Sequence, residues 1–214
     1  MGNYSSPVLG AGFTWSDGRI ARFHPLLMII GLVFFQGEGL IVYRLFRHEK
    51  KLFTKLLHGT CHGVAGGIAV TGLVAIFKHK QKTGDTYTSL TTPHSWLGIA
   101  VIVVFLMQFV VGFLTFLFPK FPATIRGWYL PVHRFAGLSI FCVSVAQAVA
   151  GISNWLWVQV DPVCTVQAEN HNEFCAEAIV VQFLQLALVF YGVSIVLLTA
   201  YPRYRRLPLQ DERD

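Results

Sequence analysis

The chain has 214 residues, of which 54% are apolar and 13% are charged, and both values lie far from the averages of soluble globular proteins. The apolar residues form five long runs, which excludes a disordered chain and predicts a protein that crosses a membrane several times. The net charge of +6 does not predict a nucleic-acid partner, because the Lys and Arg residues lie in short segments between the apolar runs rather than in one patch.

Each apolar run is long enough to cross a hydrocarbon core of ~30 Å as a helix. We therefore predict an all-α fold, a multi-pass bundle of five transmembrane helices. This membrane domain comprises residues 23–201, between an N-terminal segment, 1–22, and a tail, 202–214. In chain order, the predicted spans are Pro25 to Tyr43, Leu57 to Phe77, Ser95 to Phe118, Phe135 to Val158 and Ala178 to Tyr201.

The distribution of Lys and Arg predicts the direction of the spans. Segments 44–55, 119–134 and 202–214 hold 12 of these residues, whereas the N-terminal segment and segments 78–94 and 159–177 hold 5. The positive-inside rule then places the N-terminus outside and the C-terminus in the cytosol. The first 22 residues lack the cationic start and apolar stretch of a signal peptide.

The four cysteines indicate which side of the membrane is oxidising. Cys164 and Cys175 both fall in the last outer loop, whereas Cys61 and Cys142 lie within predicted spans. A disulfide persists in an outer compartment, so we predict a bond between Cys164 and Cys175. No pair has C-x-x-C spacing, so any haem would be held by coordination alone.

Histidines stand at the predicted starts of the first four spans. An imidazole in hydrocarbon is costly without a partner, so this repeated placement indicates a function. Because alternate spans start on opposite faces, His24 and His94 form an outer pair and His58 and His133 a cytosolic pair. Facing imidazoles in a bundle core can hold a haem iron from both faces. Spacing does not choose between His58 and His62, which share a helix face.

Haem held by two histidines would transfer electrons and would not bind a further ligand. Two imidazoles fill both axial positions of a haem, which leaves outer-sphere electron transfer as its chemistry. Two haems at opposite depths would let electrons cross the bilayer. Zinc or copper is a poorer occupant, because those ions take closely clustered ligands that include carboxylates or thiolates. The single carboxylate inside a span, Glu38, is expected to be hydrogen-bonded between helices or neutral rather than part of the site.

Four segments carry a resemblance to a known family: FHPLLMIIGLVFFQGEGLIVYRLFR, TKLLHGTCH, PHSWLGI and IRGWYLPVHRFAG. Through them the chain resembles, from about Gly12 to Tyr201, the cytochrome b561 family of transmembrane ascorbate-dependent oxidoreductases. The resemblance implies two non-covalent haem b groups in a four-helix core, each bound by one histidine pair. It also implies that His58, rather than His62, is the ligand. Relatives have six spans, so the chain is expected to start after the position of their first span and to keep the haem-bearing helices.

The resemblance also implies a cytosolic ascorbate site, with Lys51, Lys55 and Arg126 at the matching positions. Ascorbate is a monoanion at neutral pH, so ammonium and guanidinium groups would attract and orient it. Any one of these cations alone would be an ordinary positive-inside residue. Arg44, at the end of the first span, is a further candidate for contact with a haem propionate or with the substrate.

On the outer side, the family places aromatic residues and a histidine near the acceptor, and Phe77 and His79 are the nearest equivalents. The match is looser here, because Thr-Thr-Pro separates Leu90 from His94 where relatives run directly from leucine to histidine. The implied acceptor is monodehydroascorbate or a ferric chelate.

We therefore predict transmembrane electron transfer from cytosolic ascorbate to an outer acceptor. One alternative is a membrane-anchor cytochrome b that passes electrons to a partner protein, for which the cationic residues would be a docking surface. Another is a transporter with the histidines as proton relays, although the sequence has no broken-helix pair or inverted repeat. The sequence leaves open whether two copies associate as a homodimer and which membrane holds the protein.

Overall fold

The computed structural model describes residues 18–84, 90–156, 164 and 175–206. Within these ranges the chain forms long helices and no strand, which confirms the all-α prediction. Five helices are long and apolar enough to cross a membrane, in agreement with the predicted number of spans. They are α1 (Ile20–Leu45), α2 (Lys51–Lys82), α3 (Pro93–Phe116), α4 (Ala123–Trp155) and α5 (Ala176–Ala200).

The predicted starts of α2 and α4 are wrong. α2 begins six residues and α4 twelve residues before the predicted position. Hydropathy detects only the apolar part of a helix, whereas backbone hydrogen bonding continues into the polar turns before it. His58 and His133 therefore lie about two and three turns inside their helices, rather than at the helix starts.

α1 is irregular in its middle, just before the part that packs against α5. Residues Ile29–Phe35 form a π-helical segment between two α-helical parts. The Tyr191 hydroxyl on α5 lies 3.2 Å from Phe34 O and 3.1 Å from Glu38 Oε1, and its single hydrogen is shared between these two acceptors. Gly37 makes room for this ring, since a methyl group there would lie 2.5 Å from the tyrosine oxygen. Glu38 is thus hydrogen-bonded between helices, as the sequence predicts.

Two apolar clusters hold the helices together. The first joins α1 to α2, α3 and α4 through Leu32, Ala65, Ala69, Val101, Ile102, Phe105 and Ile140. The second joins α1, α4 and α5 through Val33, Ile41, Phe141, Val145, Ile152, Leu188 and Ile195. Large apolar side chains on the outside stay exposed, among them Phe183 and Phe190 of α5. Such a surface is expected for helices that face lipid.

The two ends of the bundle differ. At the end where α5 begins, Cys164 and Cys175 form the predicted disulfide, with Cα atoms 5.3 Å apart. The α1–α2 connection, the α3–α4 connection and the residues after α5 share the opposite end. Contacts there include a hydrogen bond from Arg206 Nη2 to Glu49 O at 2.9 Å. The segments that the positive-inside rule assigns to one side therefore lie at one end of the structure.

Candidate functional site

The structure brings the four predicted histidines together as the two predicted pairs. The ring centroids of His24 and His94 are 6.3 Å apart, and those of His58 and His133 are 6.2 Å apart. Two imidazoles that bind one metal ion from opposite sides, with metal–nitrogen distances of ~2.1 Å, place their centroids about 6 Å apart. The spacing of each pair fits one iron between the two rings.

The pairs lie at two different levels of the bundle. His24 Nδ1 is hydrogen-bonded to Gly72 O at 3.2 Å, and His58 Nδ1 to Gly39 O at 2.8 Å. α1 and α2 are antiparallel, so each histidine lies level with a glycine of the other helix. At a rise of 1.5 Å per residue, these contacts place the two levels about 20 Å apart along the helices.

The hydrogen bonds at Nδ1 indicate the tautomers of His24 and His58. A carbonyl can only accept, so the backbone bonds of His24 and His58 place hydrogen on Nδ1 and leave Nε2 available to a metal. His133 Nδ1 lies 2.9 Å from Gln108 Nε2. His94 Nδ1 is buried and has no hydrogen-bond partner among the described residues. Two rings are therefore held by backbone carbonyls and one by a glutamine amide, whereas the fourth is held by packing alone.

Glycines on the facing helices seat the rings. A methyl group on Gly112 of α3 would lie 2.8 Å from His133 Cε1, and one on Gly151 of α4 would lie 2.7 Å from His94 Cε1. Real side-chain carbons are not found so close, so either change would displace an imidazole. α3 thus carries His94 of the outer pair and the glycine that packs against His133. α4 carries His133 of the cytosolic pair and the glycine that packs against His94.

His62 is a neighbour of the cytosolic pair. Its ring lies 4.4 Å from that of His58 and 5.9 Å from that of Phe105, measured between centroids. His58 makes the ring contact with His133 and holds the Gly39 carbonyl. The geometry is therefore consistent with the choice of His58 that the family resemblance implies.

A cavity of about 910 Å³ lies beside His58 and His133. Its volume is at the upper end of the range for ligand pockets. The three residues that the resemblance assigns to the substrate, Lys51, Lys55 and Arg126, all line this cavity. The structure thus joins the cytosolic histidine pair and the predicted donor site in one space.

The cavity is strongly cationic. Within the described chain, all the charged residues that line it are Lys or Arg: Arg44, Lys51, Lys55, Arg126, Arg134, Arg205 and Arg206. Converging like charges repel one another, so a bound anion would stabilise the site. Among the described residues, Arg126 Nε is buried without a hydrogen-bond partner, whereas Lys55 Nζ donates to Phe116 O at 3.0 Å. Arg126 is therefore the better placed of the two to bind an anion.

Arg44 has a different environment from the one expected for a propionate or substrate ligand. Its guanidinium lines the cavity, but it donates hydrogen bonds to the backbone oxygens of Thr199 and Tyr201. Sequence reasoning missed Arg134, Arg205 and Arg206 as lining residues. Arg134 could have been found from its position next to His133. The sequence uses Arg205 and Arg206 only as positive charges that predict the cytosolic side.

Gln108 and Tyr129 were also missed, although both touch the surroundings of His133. Gln108 Nε2 donates to His133 O at 2.7 Å, and the Tyr129 hydroxyl donates to Gln108 Oε1 at 3.2 Å. The rings of Tyr129 and His133 are 5.8 Å apart. Polar residues in apolar spans are the signal that could have found Gln108.

Phe77 and His79, the candidates for the acceptor site, lie near the other end of α2 and are half-buried. In the part of the chain that the structure describes, His79 Nδ1 has no hydrogen-bond partner. A cavity of about 380 Å³ at this end is lined by Ile20, Lys78, Gln81 and Lys82, and neither candidate lines it. The structure therefore does not bring Phe77 and His79 together in that cavity.

Comparisons with known proteins identify the family of the chain. The family model described as eukaryotic cytochrome b561 matches residues 23–159. The transmembrane ascorbate-dependent reductase of Bos taurus is 40% identical over 201 residues, which cover 94% of this chain and 76% of the relative. The Homo sapiens protein of that name is 38% identical with the same coverage. The ascorbate-specific transmembrane electron transporter 1 of Zea mays is 31% identical over 183 residues, or 86% of this chain and 74% of the relative.

Proposed function

Because the chain belongs to the eukaryotic cytochrome b561 family, we propose that it carries electrons from cytosolic ascorbate, through two haem b groups, to monodehydroascorbate or a ferric chelate across the membrane. The main support is the presence of two histidine pairs with matching separations at two levels of the bundle. A cationic cavity beside one pair provides a place for an anionic donor. The relatives named above are themselves ascorbate-dependent reductases or electron transporters.

In this proposal, His24 and His94 hold the outer haem, and His58 and His133 hold the cytosolic haem. Haem b supplies one-electron chemistry when it is bound. The backbone carbonyls of Gly72 and Gly39 fix the rings of His24 and His58 and direct hydrogen to Nδ1. Each haem would be held by two histidines of this chain, and such a site would supply electron transfer rather than binding of dioxygen.

The cationic cavity would bind the donor. Arg126 and Lys51 would attract the ascorbate monoanion and hold its oxygens by charge-assisted hydrogen bonds. When the ascorbate monoanion gives up one electron it also loses one proton and becomes the monodehydroascorbate radical anion, and this proton can leave to cytosolic water at the cavity mouth. The cations line a cavity rather than a flat face, which favours a small donor over a docked partner protein.

The direction of transfer follows from the charges. The end of the bundle that carries this cavity holds most of the Lys and Arg residues outside the spans, so we assign it to the cytosol. The N-terminal segment and the disulfide of Cys164 and Cys175 then face the opposite compartment. We propose that Phe77 and His79 lie near the acceptor there.

A haem assay on the purified protein, with a visible spectrum after addition of ascorbate, tests the proposal. We expect two non-covalent haems per chain and reduction of both by ascorbate. Protein without a haem absorption band would contradict electron transfer and favour a transporter. Haem that dithionite reduces but ascorbate does not would favour the membrane-anchor cytochrome.

A further inference from the structure

The segment after α5, residues 201–206, is hydrogen-bonded to the end of α1 and to the connection between α1 and α2. Hydrogen bonds from three arginine side chains to backbone oxygens make this connection. They run from Arg44 to Thr199 and Tyr201, from Arg47 to Arg203 at 3.3 Å, and from Arg206 to Glu49 at 2.9 Å. Arg44 and Arg47 belong to the end of α1 and the connection after it, so this connection and segment 201–206 hold each other.

The hydrogen bonds have a clear physical basis. The last carbonyl groups of a helix lack intrahelical partners and carry a partial negative charge, so a cation near them is stabilising. Arg44 fills this role for α5 by donating to Thr199 O within the last turn and to Tyr201 O just after it. An arginine engaged in this way is less available to bind a ligand. It positions segment 201–206 instead.

The position of the segment puts additional positive charge at the cavity. Pro202, Arg205 and Arg206 line it together with residues of α2 and α4. The side chain of Arg205 is exposed, and its charge acts on Arg44 together with that of Arg134. Cations brought this close without a carboxylate among the described lining residues favour an anion between them.

We propose that segment 201–206 is a wall of the donor cavity and that Arg205 contacts an anionic oxygen of bound ascorbate. This inference rests on the proposed function, since it names the donor as the ligand. Arg44 and Arg47 are positioning residues for the wall. A haem propionate is also an anionic oxygen ligand, and the experiment separates it from the donor.

The test compares Arg205→Gln with Arg203→Gln in the full-length haem-loaded protein. Both changes remove one positive charge from the same segment, but Arg203 does not line the cavity and its backbone oxygen still accepts from Arg47. We expect Arg205→Gln to raise the ascorbate concentration for half-maximal reduction rate about three- to fivefold, as for loss of an exposed charged contact. Arg203→Gln should change it less than twofold. Reduction by a neutral hydroquinone should be the same in both variants.

Three results would overturn the inference. Equal effects of the two variants would mean that only the overall charge of the surface matters. Lower haem content or an altered haem spectrum in Arg205→Gln would assign the residue to a haem propionate. Unchanged ascorbate dependence in Arg205→Gln, while ascorbate still reduces the wild type, would contradict this inference alone. Failure of ascorbate to reduce the wild type would instead contradict the proposed function.

A second measurement tests the positioning role of Arg47. Arg47→Gln removes the hydrogen bond to Arg203 O and leaves every arginine of segment 201–206 in place. We expect trypsin to cleave this variant after Arg203 and Arg205 several-fold faster than the wild type, and Arg47→Lys to restore part of the protection. Equal cleavage rates in the wild type and Arg47→Gln would contradict the role of Arg47 in holding the wall.

Discussion

Gly151 of α4 lies directly against the imidazole of His94 on α3, so that a methyl group on the glycine would come within 2.7 Å of His94 Cε1. The same relationship links Gly112 of α3 to His133 of α4, at 2.8 Å. Each helix therefore limits the position of the histidine on the other. A methyl group at either glycine would come closer to the imidazole than van der Waals contact allows. The ring positions therefore depend on the absence of side chains at the two glycines.

Gly151→Ala should displace His94 and weaken haem binding at the outer site by about tenfold, the usual cost of overpacking. The cytosolic pair has no contact with this position and should keep its haem. Gly67→Ala is the matched control, because Gly67 is exposed on α2 and a methyl group there meets no other atom within 4 Å. Haem stoichiometry after dialysis checks the result, and equal loss in the two variants would contradict a local effect.

Replacement of one histidine in each pair should remove one haem and leave the other. His94→Ala eliminates a predicted outer ligand, and His58→Ala eliminates a predicted cytosolic one. A haem assay with low-temperature visible spectra would distinguish the two remaining haems. If either substitution removed both haems, the assignment of independent sites would be wrong, provided that circular dichroism shows an intact helical fold.

Arg126→Gln should raise the ascorbate concentration for half-maximal reduction by about tenfold, because a cavity-lining guanidinium with a free Nε would be lost. Haem content should not change. Lys50→Gln provides a control with the same change in net charge, since Lys50 is exposed and does not line the cavity. Comparable kinetics for the two variants would argue against a specific donor site.

Reduction by ascorbate should slow as salt is added, because the proposed attraction is between a cationic cavity and an anion. An increase in ionic strength from ~0.01 M to ~0.15 M shortens the Debye length from about 30 Å to about 8 Å. The rate with a neutral hydroquinone should stay constant over this range. Stopped-flow absorbance of the haem bands measures both rates, and an ascorbate rate that salt leaves unchanged would exclude electrostatic capture.

Tyr191→Phe should destabilise the fold without loss of haem. The change removes the hydrogen bonds to Phe34 O and Glu38 Oε1, for an expected cost of about 1 kcal/mol within a membrane bundle. Thermal unfolding in detergent should show a lower Tm. Tyr204→Phe keeps its ring contact with Tyr201 at the surface and should have the wild-type Tm.

Hydropathy was sufficient for the number of helices and their order, because lipid requires long apolar runs with internally satisfied backbones. It was not sufficient for helix ends. α4 extends through Arg126 and Pro131 before its apolar part begins, and the backbone continues as helix there because water can solvate the polar face. That extension places Arg126 and His133 on the same helix, two turns apart.

The histidine pairs could be predicted from the direction of the spans, and the structure places each pair at a spacing that suits a metal ion. The partners of the rings could not be predicted. The sequence does not indicate which glycines contact the histidines. The contacts of Gly72, Gly39 and Gly112 depend on how adjacent helices are rotated about their axes. Gln108 likewise reaches His133 only because α3 and α4 pack side by side.

The sequence by itself predicted five helices long enough to span a membrane, two pairs of neighbouring histidines, and the end that carries most of the positive charge. These properties follow from composition and order along the chain. Only the tertiary structure decided that Arg44 holds the segment after α5, and that Arg205 joins Lys51 and Arg126 at one cavity. These residues are distant in sequence, and the packing of α5 against α1 and α4 brings them together, because an arginine contributes to a site only where the fold places its guanidinium.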